Sequence, residues 1–389
     1  MADDGMAGME HDPGGVVTLA RDLIRCPSVT PDDGCCINTL AGVLEQIGFS
    51  VTLLPFGEEE ARTPNLFARL GTGHPHLCFA GHTDVVPVGS ARWQHDPFGG
   101  EIHDGILFGR GACDMKGGIA AFIAAVRLYL DQTPDQRGSI SLLITGDEEG
   151  PATNGTVRVL EWMEKQGQIP DFCLVGEPTN PAGMGEVIKI GRRGSLNARI
   201  TVNGTQGHVA YPHRADNPVH RLLALLGELT AAPLDTGSEW FEPSSLQVTS
   251  VDVGNTATNV IPAQAHARLN IRFNDLHTGA DLSGWLRTVT ARHAPGAEVS
   301  ISISGESFLT QPDAPVEALR AAIRAETGQV PRLDTGGGTS DARFISRYCP
   351  VAEFGLVGAS MHKVDEHVSL ADLKQLTAIY AGFLEKVMH

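Results

Sequence analysis

Three consecutive acids, Asp147, Glu148 and Glu149, follow the apolar run Ile140 to Ile144 and precede Gly150. A strand that delivers carboxylates to its own C-terminal end concentrates negative charge, and something positive must offset that repulsion. The counter-charge best suited to it is a metal ion, although an acidic run of this kind also serves as solvated loop surface. The choice between the two depends on whether other ligand-type residues stand at comparable places.

Four such places exist. Gly81-His82-Thr83-Asp84 follows the short apolar run from His76 to Ala80, and the spacing of His82 and Asp84 puts both side chains on one face of an extended segment. There the carboxylate is expected to orient the imidazole. Asp114 stands in the glycine-crowded stretch from Gly109 to Gly118, ahead of an Ala-rich helical segment. That stretch lacks the spacing of a phosphate-binding loop and the Ser or Thr after its lysine. Glu177 follows the apolar run Phe172 to Val175, and His362 follows Val351 to Leu356. Taken singly, each is also explained as an ordinary turn residue. Together His82, Asp114, Glu149, Glu177 and His362 have the chemistry of two zinc ions sharing one carboxylate.

The elements that carry these residues form two groups. From Val16 to about Ile190 helical stretches (Val16 to Arg25, Ile37 to Ile47, Gly118 to Leu130) alternate with short apolar strands, which predicts an α/β sheet covered on both faces. Sites in such sheets lie at the C-terminal strand ends. After Gly194 the strands alternate apolar with polar residues (Leu196 to Val202, Leu246 to Val253, Ala265 to Phe273, Val299 to Ile303), with helical stretches at Asn217 to Leu229 and Ala280 to His293. The order strand, helix, strand, strand, helix, strand is ferredoxin-like. The expected organisation is a flexible extension (1–15), a catalytic α/β domain (16–192 and 306–389) and an inserted α+β domain (193–305) whose open sheet edge suits pairing with a second subunit.

Composition narrows the partners. The chain has 389 residues, 42% of them hydrophobic, and Asp plus Glu outnumber Lys plus Arg by 46 to 29, giving a net charge of -17. That balance argues against nucleic acid or an anionic membrane. An anionic substrate then requires arginines placed to reverse the field locally. No run approaches the roughly 20 apolar residues needed to span a bilayer, and no signal-peptide pattern opens the chain, so a cytoplasmic location is expected. The seven cysteines include no C-x-x-C pair and are expected to be buried thiols rather than a disulfide framework or zinc ligands.

The stretches GHTDVVPVG, GRGACDMKGG, TGDEEG, GEPT and MHKVDE resemble the zinc-dependent amidohydrolases and exopeptidases, over nearly everything after the N-terminal extension. By this resemblance the fold is a zinc-exopeptidase-like catalytic domain carrying an inserted dimerisation domain. One Zn2+ is held by His82, Asp114 and Glu177 and the other by Asp114, Glu149 and His362, with Asp114 bridging, a cis peptide after it, and Co2+ an acceptable substitute. Glu148 becomes the general base, and Asp84 supports His82. His208 is expected to reach the active site of the partner in a homodimer and to stabilise an oxyanion.

Segments from Gly191 to Asn197, from Gln206 to Pro218 and from Thr335 to Phe344 further resemble the branch acting on N-succinyl-LL-diaminopimelate, with hydrolysis of acetylornithine or another N-acyl amino acid as the alternative. A binding protein that has lost catalysis is a third reading, opposed by the joint presence of base, ligands and His208. The resemblance puts Arg192, Ser195, Tyr211, Asn259, Arg272, Gly338 and Thr339 around the substrate carboxylates, with Arg272 resting on an assumed strand register. Cys113 replaces the alanine usual beside the bridging aspartate, which predicts a site more sensitive to oxidation.

Overall fold

The computed structural model describes residues 12–59, 62–134 and 137–388. Most of the expected flexible extension, residues 1–11, lies outside them. Its last residues are ordered: the Asp12 carboxylate accepts from the backbone N–H of Val17 (2.8 Å) and Thr18 (3.1 Å) at the start of helix Val16–Ile24.

The chain divides into two compact units. The first holds the described residues up to Ile190 together with Thr310–Asp334 and those from Ser340 onward; the second holds Gly191–Leu309 and Thr335–Thr339. In the first, an eight-stranded sheet runs in the order Ser50–Leu53, Asn65–Gly71, Ser139–Thr145, His76–His82, Phe172–Val175, Val351–Glu353, Val187–Lys189, Arg332–Asp334. The central strands His76–His82, Ser139–Thr145 and Phe172–Val175 are buried at every residue, which requires cover on both faces. Phe79 stacks on Phe122 of helix Gly117–Gln132 with centroids 4.3 Å apart, and Tyr380 of helix Leu370–Val387 meets Phe79 edge-on at 5.9 Å. The Tyr380 hydroxyl donates to the Phe354 carbonyl (2.6 Å), so its one polar atom is satisfied inside the core.

A smaller three-stranded sheet of the same unit, Glu101–His103, Ile106–Phe108 and His367–Ser369, has strands too short to leave a periodic signal in the sequence. The cysteine expectation needs a correction. Cys26 and Cys35 form a disulfide, because the intervening loop turns back until their Cα atoms are 5.5 Å apart, inside the range a disulfide spans. The other five cysteines are buried free thiols.

The second unit has the topology its alternation predicts. Its four-stranded antiparallel sheet runs Ser245–Asp252, Gln264–Phe273, Gly194–Asn203, Glu298–Gly305, with helices Pro218–Leu229 and Gly279–His293. Leu196, Ile200, Val202, Leu269, Ile271 and Phe273 from the strands and Leu222, Leu225, Leu286 and Val289 from the helices form one buried core. Gly191–Arg192 also pairs with Phe308–Leu309, which carries this unit slightly beyond the alternating strands at both ends.

Candidate metal centre

Sheet register brings the predicted ligands of the first unit together. His82 ends its strand opposite Thr145 of a parallel neighbour, so the acids that follow Thr145 emerge beside it. Phe172–Val175 is parallel on the other side, with Val175 opposite Ala80, and Val351–Glu353 is parallel to that in turn. Glu177 and the segment bearing His362 therefore leave the same edge of the sheet. Asp114 comes from the turn after Gly111, whose φ of 84° lies in the left-handed region. The chain then enters a helix at Gly117, and Gly118 lies so close to Gly176 that a Cβ on it would stand 2.7 Å from the Gly176 carbonyl oxygen. The peptide bond Asp114–Met115 is cis.

The two oxygens of Asp114 face different imidazoles. His82 Nε2 is 3.3 Å from Oδ1, and His362 Nε2 is 3.0 Å from Oδ2. Glu177 Oε1 is 3.8 Å from His82 Nε2, and Glu149 Oε1 is 2.8 Å from His362 Nε2. His82, Glu148 and Glu177 bring one ligand atom each within 4.8 Å of one another, as do His82, Asp114 and Glu149. His362 sits at a φ of 61°, a left-handed conformation uncommon for a residue with a side chain.

Asp84 acts otherwise than expected. Its carboxylate is 3.7 Å from His82 Nδ1, too far for a hydrogen bond, and the Asp84 backbone carbonyl at 2.9 Å takes the Nδ1 proton instead. The carboxylate accepts from the backbone N–H of Glu148 (3.1 Å) and Glu149 (2.9 Å), so Asp84 fixes the main chain under both acids. Asp147 points away from the centre. Its oxygens accept from the N–H of Ala152 (3.2 Å), Thr153 (2.8 Å) and Asn154 (2.9 Å), pinning the following loop.

Two further residues escaped the sequence reading. Glu366 is fully buried, receives Arg110 Nη1 at 2.7 Å and the N–H groups of Cys113 (3.2 Å) and Asp114 (3.3 Å), and so holds Asp114 from behind. It is the last residue of MHKVDE, four positions after His362. Buried Asp341 lies near enough to feel the charges of His82 and Asp84, and burial lifts its carboxyl to about 6. Cys113 is buried, and burial with the neighbouring Glu366 and Asp114 charges pushes its thiol well up. Burial and a raised thiol both work against the expected sensitivity to oxidation.

The electrostatics call for added positive charge. Burial pushes Glu148 up to about 8, helped by Asp341, Glu149 and Asp114 and opposed by His82. Burial and the Asp114 charge raise Glu177 well above the usual carboxylate range. Burial opposes charge on His82, but its hydrogen bond to Asp114 and the charges of Glu177 and Glu148 overcome it and lift the imidazole well above its ordinary value. The nitrogen and oxygen donors, with one carboxylate offering an oxygen to each side, fit two divalent metals.

The residues expected to bind substrate lie in the second unit. Ser195 is buried and stands directly opposite Arg272 in the antiparallel pair Gly194–Asn203 and Gln264–Phe273. Arg272 is half-buried, and burial together with the Arg193 charge works against its own cation. Arg193 Nε is buried without a hydrogen-bond partner. Arg192 Nη1 donates to the carbonyls of Gly338 (2.9 Å) and Gly336 (3.4 Å), which ties it to the loop holding Gly338 and Thr339. His208, Tyr211 and Asn259 are exposed; the Asn259 carbonyl accepts from Val209 N–H (3.0 Å), and His208 Nδ1 accepts from Ala210 N–H (3.1 Å).

A sequence model of peptidase family M20/M25/M40 matches residues 78–386. The chain is 72% identical over 372 residues to a succinyl-diaminopimelate desuccinylase of Gluconacetobacter diazotrophicus, covering 96% of this chain and 97% of the relative. It is 66% identical over 373 residues to the enzyme of the same name from Gluconobacter oxydans, covering 96% and 97%. Among solved structures it resembles the aminopeptidase PepT of Bacillus cereus (TM-score 0.77, 18% identity, 96% of this chain and 98% of that one). A dinuclear metal binding peptidase of the M20 family from Bacillus subtilis gives a TM-score of 0.69 at 17% identity, covering 96% and 98%.

Proposed function

We infer the reaction from a membership now plain: the chain belongs to peptidase family M20/M25/M40. It is a metal-dependent amidohydrolase that cleaves the amide bond of N-succinyl-LL-2,6-diaminopimelate, giving succinate and LL-2,6-diaminopimelate, a step toward lysine and cell-wall precursors. The observation that carries this is the 72% identity to a desuccinylase across 96% of the chain. It favours this substrate over acetylornithine.

In the mechanism we propose, His82, Asp114 and Glu177 hold one Zn2+ and Asp114, Glu149 and His362 the other, with Co2+ able to replace it. That donor set would hold a metal pair whose Lewis acidity would polarise the scissile carbonyl and make water more acidic. Glu148 takes the proton of the attacking water and returns it to the leaving amine. Burial pushes its carboxyl up to about 8, and cations held in the donor set beside it would bring it down toward the range where a base works near neutral pH. Asp84 keeps that carboxylate and Glu149 in place by holding both backbone amides.

Three substrate carboxylates need cations and oriented donors. Arg192, Arg272, Ser195, Tyr211, Asn259, Gly338 and Thr339 supply them in this reading, and the crowding of Arg272 by Arg193 supports an anion there. His208 of the partner subunit steadies the oxyanion of the tetrahedral intermediate. A homodimer fits the open edge strand Ser245–Asp252 and the exposed Val209, Tyr211, Leu223 and Val251 of the second unit. Among the described residues no helix is long and apolar enough to cross a membrane, and a cytoplasmic reaction is part of the proposal.

The test is a parallel assay of N-succinyl-diaminopimelate and N-acetylornithine, with and without a chelator. Rapid, chelator-sensitive release of succinate is expected. Preference for acetylornithine overturns the substrate, and turnover indifferent to the chelator overturns the metal chemistry.

A further inference from the structure

A second cluster of ligand-type side chains lies on the small sheet of the first unit. In strand Glu101–His103, residues two apart share a face, so Glu101 and His103 stand side by side, and His95 reaches them from the preceding loop. His95 Nδ1 is 2.9 Å and His103 Nε2 3.0 Å from the same oxygen, Glu101 Oε2. All three ligand atoms lie within 4.8 Å of one another.

The cluster is held in shape from several sides. The His95 ring stacks on Phe108 with centroids 3.9 Å apart. Asp365 Oδ1 accepts from the backbone N–H of Gln94 (2.8 Å) and His95 (3.3 Å), and Glu101 Oε1 accepts from Asp96 N–H (3.3 Å). Hydrogen bonds from His95 and His103 hold the Glu101 carboxyl down to about 2, so it is ionised wherever the protein works. Metal bonds of about 2.0–2.1 Å in a tetrahedron set neighbouring ligands about 3.3 Å apart. The two His–Glu contacts need to open by a few tenths of an ångström to reach that spacing, and the two imidazole nitrogens already lie within 4.8 Å of each other.

We propose that His95, Glu101 and His103 form a separate metal site, on the surface of the first unit, for a divalent cation that favours imidazole, such as Zn2+. Two nitrogens and one carboxylate select zinc, cobalt, nickel or copper over magnesium or calcium, which prefer all-oxygen shells. The His103 side chain is 55% exposed and Glu101 38%, so water completes the coordination and binding is weaker than at the buried centre. Asp365 links the His95 backbone to the segment that carries His362, so an ion here also braces that segment.

Protein carrying its resident metals is dialysed against rising Zn2+ with excess Mg2+ present, and bound zinc is counted. Wild-type protein is expected to take up one equivalent more than His103→Gln and Glu101→Gln, all three keeping the same turnover at low zinc. Equal uptake by wild type and both variants overturns the site. A second measurement needs no variant: acylation of His95 and His103 by diethyl pyrocarbonate, mapped by mass spectrometry, slows when Zn2+ is added. Labelling unchanged by zinc likewise overturns it.

Discussion

The two units use polar residues in opposite ways. In the first, every carboxylate of the candidate centre lies at the end of a strand or in a glycine turn, and backbone amides received by Asp84 and Glu366 lock the chain beneath them. In the second, Ser195 and Arg272 are fixed by strand pairing, while His208 stands exposed on the two-residue strand Gly207–His208, and Tyr211 and Asn259 stand exposed on the loops beside it and its partner strand Val260–Ile261. In the proposed reading the contrast separates metal binding from contact with the substrate. A donor set that must hold charge in a low-dielectric site has to be rigid and complete within one unit, whereas groups that recognise a substrate are best left accessible to it.

The sharpest way to break this comparison is Glu148→Gln. It removes the base but keeps the shape and the hydrogen bond to Asp84, which uses backbone N–H. Turnover is expected to fall roughly 10²- to 10⁴-fold with metal content unchanged, read by steady-state kinetics beside metal analysis. Normal turnover would remove Glu148 from the mechanism and leave the first unit with ligands and no base.

The second unit gives a smaller and different effect. Arg192→Ala removes a guanidinium bonded to the Gly338 carbonyl at 2.9 Å. One charge-assisted contact to a substrate carboxylate is worth roughly 1.5–3 kcal/mol, so KM for the succinylated substrate should rise about tenfold or more, with metal content as in the wild type. Unchanged KM and turnover would mean that Arg192 only braces the loop bearing Gly336 and Gly338.

Much of this division is legible in the sequence because strand ends are legible. The apolar runs His76 to Ala80, Ile140 to Ile144 and Phe172 to Val175 all became strands, and the residues just past them became neighbours once the strands ran parallel. What the sequence hides is where backbone N–H groups point. Asp84 looks like a partner for the His82 ring, yet its carboxylate serves two amides 64 and 65 residues away. Glu366 and the Cys26–Cys35 bridge were hidden for the same reason: their partners are set by how loops close, which residue type does not record. Strand Glu101–His103 is three residues long, too short for alternation to register, so the cluster on it went unseen.

The smallest effect is expected at Asp147, and it tests whether neighbouring like charges share a role. Three amides, of Ala152, Thr153 and Asn154, converge on its carboxylate. Asparagine keeps one acceptor oxygen but turns an N–H2 toward at least one of those donors. Asp147→Asn should therefore cost about 1–3 kcal/mol of stability, with faster hydrogen exchange at those amides. Glu148 and Glu149 are anchored separately by Asp84, so metal content and turnover should stay close to wild type. A collapse of turnover comparable to that of Glu148→Gln would show that the acidic triplet works as one unit, and the separation of a buried structural acid from a proton-moving one beside it would fail.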